Sequence, residues 1–140
     1  MRRRGRQEPI QIAEDFGRAL DHDDFDTLKE LLDPECVYRI GSQELIGPEA
    51  IANSYEQNMI EGRKTLDELL WGESGVEEVG AREFIVHFTD HLKHKGQSFI
   101  HRCQQRVVVG GNKLIVNISH VANESEEVRL KEFMNRVGLG

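Results

Sequence analysis

The stretch 86-VHFTDHLKHKGQSFIHRC-103 holds four of the chain's six histidines, His87, His91, His94 and His101, together with Asp90 and Cys103. Its backbone period decides the fold. On a helix, steps of four and three residues would gather His87, His91 and His94 on one face as metal ligands. On a strand His87 and His91 share a face but stand ~13 Å apart, too far to share an ion. The preceding residues 83-EFIVHF-88 alternate apolar and polar, so the run reads as a strand. No metal is expected. Phe84, Val86, Phe88, Asp90 and Leu92 then share the more apolar, inward face. His87, Thr89, His91 and Lys93 point outward.

Lys95-Gly96 is a credible two-residue hairpin, which pairs Leu92 with Phe99, Asp90 with His101 and Phe88 with Cys103. The inward set continues as Phe99, His101, Cys103, Gln105 and Val107, against outward Arg102, Gln104 and Arg106. A second two-residue loop at Gly110-Gly111 pairs Val107 with Leu114, Cys103 with Ile118 and His101 with His120. Leu114, Val116, Ile118 and His120 then face inward. The two hairpins predict a polar row, Asp90–His101–His120, across three strands on an apolar face, with Cβ atoms ~4.5–5.5 Å apart. In such a row Asp90 would fix the His101 tautomer and raise its pKa, and a neutral His120 could serve as a base. The competing reading is a buried ladder that only satisfies its own hydrogen bonds.

Outward from this run, 10-IQIAEDFGRAL-20 has an apolar stripe at helical spacing through Ile12, Phe16 and Leu20. Asp24 is placed to cap a second helix, 25-FDTLKELL-32, which Pro34 ends. The segment 36-CVYRI-40 reads as a strand. Pro48 opens a helix with Ile51, Tyr55 and Met59 on its buried face and Gly62 as its stop. Residues 65–79 read as one strand interrupted at Gly72 and Gly75. The tail 125–139 is weakly amphipathic through Leu130, Phe133, Met134 and Val137, a short helix for the sheet or a partner. Helices followed by a long antiparallel meander make an α+β arrangement.

With 140 residues, 38% hydrophobic and 31% charged, the chain suits one folded domain rather than disorder. A net charge of −7 argues against nucleic-acid and anionic-membrane binding. The basic 1-MRRRGR-6 reads as part of a disordered tail over residues 1–9, ahead of a single domain over 10–140. No apolar run approaches the ~18 residues of a membrane span, and no signal-peptide core follows the arginines. Two cysteines make no disulfide framework, so a cytoplasmic location is expected.

The segments 19-ALDHDDFDTLKELLDPECVYRI-40 and 46-IGPEAIANSY-55, with the hairpin 107-VVVGGNKLIV-116, resemble the SnoaL-like branch of the nuclear transport factor 2 superfamily. The resemblance spans roughly residues 10–138. It implies a cone-shaped barrel, a curved antiparallel sheet wrapped on two or three N-terminal helices around an apolar pocket, in a homodimer. It is poor for function, since the superfamily holds polyketide cyclases, dehydratases, isomerases, epoxide hydrolases and noncatalytic binding domains. Ketosteroid isomerases carry a tyrosine where Phe16 stands and an aspartate near Ile40, so that activity is not implied. Scytalone dehydratase has an aspartate where Asp21 stands and two sheet histidines, roles that His101 and His120 could fill. Its tyrosines fall at Leu20 and near Ile40, two residues from Tyr38.

Residues and resemblance together assign Asp21, Asp90, His101 and His120 to a catalytic set. Phe16, Tyr38, Tyr55, Trp71, Phe84, Phe88, Phe99, Cys103 and Ile118 are the expected pocket walls. The expected partner is a small hydrophobic ligand, with no cofactor. The function implied is a cofactor-independent lyase, isomerase or cyclase using a histidine/aspartate pair on a hydrophobic, oxygenated ligand. The alternative is a noncatalytic ligand-binding or dimerisation module. A protein-interaction domain fits less well, because the outward set around His87, His91, Arg102, Gln104 and Arg106 is polar.

Overall fold

A computed structural model describes residues 8–140. In chain order it runs α1 (Pro9–Asp21), α2 (Phe25–Leu31), β1 (Leu32–Ile40), β2 (Gln43–Ile46), α3 (Pro48–Thr65), β3 (Glu68–Trp71), β4 (Gly75–Glu78), β5 (Glu83–His94), β6 (Gln97–Val109), β7 (Ile115–Val121) and α4 (Glu124–Arg136). The tail expected over residues 1–9 falls outside the described residues as far as Gln7. Pro9 already opens α1, and the Gln11 side chain accepts the Glu8 backbone N–H at 2.9 Å.

The helices form where capping chemistry and periodicity put them. Ile12, Ala13, Phe16 and Ala19 are buried along one face of α1. Asp24 caps α2, accepting from the Thr27 N–H at 3.2 Å and the Thr27 hydroxyl at 2.7 Å. Two boundaries differ from expectation. Pro34 lies within β1, which begins directly after α2, at an irregularity in the pairing between Leu32 and Val37. Gly62 lies inside α3 instead of ending it, and a Cβ there would meet Leu69 Cδ2 at 2.6 Å. Its small size serves packing of the helix on β3.

The sheet is curved and unclosed, with strand order β2-β1-β7-β6-β5-β3 and β4 also paired to β5. It is antiparallel except for β1 beside β7, which run parallel. Neither β2 nor that parallel pairing was legible as a pattern; β2 folds back on β1 after Gly41 at φ +57°. β3 and β4 behave as one interrupted strand on β5. Trp71 faces Asp90 and Val76 faces Val86, and one extra residue in the connection keeps both on the inner side.

The Lys95-Gly96 hairpin has the expected register, Leu92 opposite Phe99, Asp90 opposite His101 and Phe88 opposite Cys103. Both turn residues take positive φ, +49° and +79°, which matches the strand twist. The second hairpin does not have its expected register. Val107 pairs with Ile118 and Gln105 with His120, while Val109 pairs with Ile115 across a shift. A longer loop causes this, closed by Gly110 N–H to Leu114 O at 2.8 Å and Lys113 N–H to Gly110 O at 3.1 Å. Val116 becomes the extra residue, and Ile115 takes the buried place expected for Leu114 and Val116. The slide of four residues is even, so Ile118 and His120 keep the inner face.

Two apolar clusters hold the sheet to its helices. Phe16, Leu28, Ile51, Phe84, Val107 and Ile118 belong to the larger one, against α1, α2 and α3. Leu66, Leu69, Leu92, Phe133 and Val137 form the second, where α4 packs on the sheet. Each fully buried side chain of this size contributes about 1.5–3 kcal/mol.

Candidate functional site

A cavity of about 400 Å³ opens between the two clusters. Its walls come from every layer of the fold: Asp21, Asp23 and Phe25 around the α1–α2 turn, Tyr38 from β1, and Tyr55 and Met59 from α3. Trp71, Phe88 and Asp90 project from β3 and β5, while His101, Cys103 and Gln105 line up along β6. His120 enters from β7, and Leu130 and Met134 from α4.

Asp21, Asp90, His101 and His120 therefore border one space, with Tyr38, Tyr55, Trp71, Phe88 and Cys103. Phe16, Phe84 and Ile118, expected as pocket walls, are fully buried in the larger core instead. Phe99 stacks on Phe133 at 5.1 Å in the second core, because α4 covers that end of β6.

The straight Asp90–His101–His120 row does not exist. His120 faces Gln105, four residues along β6 from His101. The Gln105 side-chain nitrogen lies 3.0 Å from His120 Nδ1, and Gln105 Oε1 accepts the Tyr55 hydroxyl at 3.3 Å. With its oxygen engaged by Tyr55, the amide donates to Nδ1, and neutral His120 carries its proton on Nε2.

Asp90 and His101 are strand partners, but no side-chain hydrogen bond joins them among the described residues. Burial, reinforced by the nearby Asp21 carboxylate, pushes the Asp90 carboxyl up to about 6. Asp21 is tied elsewhere: its Oδ2 accepts both the N–H and the hydroxyl of Ser74 at 2.8 Å. The expected raising of the His101 pKa by Asp90 is also reversed. Burial lowers it, and the partial compensation comes from Glu126 on α4, whose Oε2 is 3.4 Å from His101 Nδ1. Burial, helped by the Asp90 and Glu126 charges, raises the Cys103 thiol to about 12, so it stays protonated and is a poor nucleophile.

At the rim Asp23 accepts from the Trp71 indole N–H and from Arg63, each at 2.8 Å. Arg63 also lies over the Trp71 ring, 5.4 Å from its centroid. Neither Asp23 nor Glu126 stood out in the sequence. Asn123, whose side chain accepts the Glu126 N–H, is a cap signal that puts Glu126 in the first helical turn. Nothing local predicts the contact with His101.

Outward His87 has a surface partner, its Nε2 3.0 Å from Glu77, and His94, next to the turn, accepts the Asp67 N–H at Nδ1 at 3.2 Å. Among the described residues no three His, Cys, Asp or Glu side chains are grouped to hold a metal ion. No described helix is long and apolar enough to cross a membrane.

No protein-family model matches the sequence, and no curated protein does. Solved structures do share the fold. A candidate SnoaL-like polyketide cyclase from Shewanella denitrificans superimposes with a TM-score of 0.63 at 12% identity, over 89% of this chain and 97% of that one. A Mycobacterium tuberculosis protein described as a LEH-like epoxide hydrolase gives 0.62 at 17% identity, over 92% and 94%. A second M. tuberculosis protein, in complex with estradiol-17β-hemisuccinate, gives 0.58 at 17% identity, over 86% and 98%. At these identities the likeness establishes the fold, the α+β cone of SnoaL-like and nuclear transport factor 2-like proteins.

Proposed function

From the fold shared with SnoaL-like and nuclear transport factor 2-like proteins, we propose that the chain binds a small, hydrophobic, oxygenated molecule. It moves a proton on that molecule as a cofactor-independent lyase, isomerase or cyclase. One observation carries the reading: Asp90, His101 and His120 border a single cavity whose other walls are largely aromatic and aliphatic. An ionisation near pH 6 suits Asp90 to take up or release a proton at neutral pH. His120, held through Nδ1 by Gln105, offers Nε2–H to a ligand oxygen that gains charge when a neighbouring carbon loses its proton. Three aspartates and no Lys or Arg line the cavity among the described residues, which favours an uncharged ligand over a carboxylate. The steroid complex and the epoxide hydrolase-like neighbour support a hydrophobic, oxygenated ligand, although the hemisuccinate of that complex itself carries a carboxylate. On this reading the unit is a homodimer packed through the outer sheet face. Leu70 and Ile100 are 53% and 40% exposed there, on either side of His91.

The test uses a panel of cyclic ketones headed by 2-tetralone. Binding is followed by Trp71 fluorescence, and loss of the α-proton in deuterated water by NMR. The expected result is exchange faster than in buffer, reduced on the order of 10²-fold in Asp90→Asn with binding retained. Binding without exchange across the panel would leave the noncatalytic ligand-binding module, and no binding at all would remove the small-molecule reading.

A further inference from the structure

We propose that Glu126 is a positioning residue for His101: the first turn of α4 fixes the imidazole through Nδ1 and leaves Nε2 to act on the ligand. The inference deepens the proton-transfer reading above and rests on it for its catalytic consequence. Its structural claim can be tested without turnover.

Glu126 is unusually well anchored for a helix carboxylate. Its backbone N–H is held by the Asn123 side chain at 3.2 Å, its Oε2 accepts the Arg102 backbone N–H at 3.1 Å, and its Oε1 is paired with Arg129. Arg102 is the neighbour of His101 on β6, so the carboxylate is seated on the same piece of strand that carries the imidazole. The Arg102 N–H, above all, holds Glu126 below the usual carboxylate range and therefore charged.

His101 Nδ1 lies 3.4 Å from that carboxylate, yet it is buried and the approach does not have hydrogen-bond geometry. A lone pair on Nδ1 would face an anion. The Nδ1–H tautomer is favoured for that reason, and it places the lone pair on Nε2. Leaving a buried donor unpaired is unfavourable, so a small rotation that completes the bond is downhill once a ligand orders the ring. The Phe99 ring, 6.4 Å away and nearly parallel, limits the alternatives open to the imidazole.

The charged and titratable groups facing His101 are Glu126 and Arg129 from α4, His120 from β7 and Asp90 across on β5. Glu126 favours the imidazolium through its charge; His120 and Arg129 oppose it. The two histidines then have complementary roles. His120 is a donor through Nε2–H, and His101 an acceptor through Nε2. When Asp90 takes a proton from a ligand carbon, the C–H electron pair stays on the ligand as an enolate; His101 Nε2 accepts the proton onward, and the imidazolium formed lies beside Glu126. The imidazolium then delivers a proton, exchanged with solvent, to carbon or oxygen as the product forms.

The experiment compares wild type, Glu126→Gln and Glu126→Asp by ¹⁵N-NMR of the histidine rings across pH, with 2-tetralone exchange measured in parallel. Gln can still accept the Arg102 N–H, so α4 should stay docked. In Glu126→Gln the His101 midpoint should move to lower pH and its tautomer should shift toward Nε2–H. The exchange rate should fall on the order of 10²-fold with ketone affinity unchanged. Glu126→Asp should recover part of both effects. An unchanged His101 midpoint and tautomer in Glu126→Gln would overturn the proposal. Altered ring signals without exchange in any protein would uphold the positioning while removing the catalytic reading.

Discussion

Gln105 and His120 stand opposite each other on β6 and β7, with the amide nitrogen 3.0 Å from His120 Nδ1. Among the described residues Gln105 is one of two buried polar ones, and it joins the imidazole on one side to the Tyr55 hydroxyl on the other. Gln105→Leu keeps similar bulk but strands both partners against the cavity wall. Destabilisation by about 1–3 kcal/mol is expected in urea unfolding, with the His120 ring losing its single tautomer in ¹⁵N spectra. A variant as stable as wild type would show that water replaces the amide without cost.

Asp90 sets a pH dependence of definite sign. Its folded pKa, about 6, lies above the ordinary value of about 3.9, so the unfolded chain ionises more readily. Its contribution to stability is full below pH ~4 and is lost as pH rises through 6, by up to about 3 kcal/mol. Asp90→Asn should therefore be more stable than wild type at pH 8 and nearly equal to it at pH 4.5. Urea midpoints at the two pH values decide this.

His101 runs the opposite way. Burial lowers its folded pKa, so its contribution is present above about pH 6.5, the ordinary histidine value, and is lost on acidification below it. His101→Gln should lose less stability than wild type between pH 7 and pH 5. An equal loss in both proteins would assign the acid sensitivity to other groups.

Gly17 on α1 admits the β3–β4 connection to close range: a Cβ there would lie 2.4 Å from Ser74 Oγ and 3.2 Å from Val86 Cγ1. Ser74 is the hydroxyl bound to Asp21. Gly17→Ala should displace Ser74, free the Asp21 carboxylate and cost about 1–3 kcal/mol despite the better helix propensity of alanine. A thermal midpoint equal to or above wild type would show that the connection yields without strain.

Phe133 is fully buried and stacks on Phe99, anchoring α4 to the sheet. Phe133→Ala should cost about 3–5 kcal/mol. Because Glu126 is on the same helix, the His101 ring signals should shift as well, which NMR would detect. Destabilisation with those signals unmoved would separate helix docking from the imidazole contact.

How much of the site was legible follows from the range of the interactions. The inward face of β5 and β6 depends on alternation within each strand, and a two-residue turn leaves no freedom of register, so Asp90 opposite His101 follows from local chemistry. The Gly110–Leu114 loop imposes no such limit. Its length and the extra residue at Val116 accompany the burial of Ile115, which pairs with Leu32 of β1 outside the hairpin. His120 kept its face because the slide was even, and lost its expected neighbour because there was a slide.

The sequence by itself determined the helices, the strand parity of the histidine run and the inward face of Asp90, His101 and His120, whereas Asp21 was expected there only from the family resemblance. These depend on periodicity, caps and a tight turn, all short-range. Only the tertiary structure decided which groups touch. Gln105 holds His120, Ser74 holds Asp21, and Glu126, 25 residues beyond His101, supplies the carboxylate first expected from Asp90. Those partners are chosen by long-range packing of helices on a curved sheet, where a displacement of a few ångströms exchanges one neighbour for another.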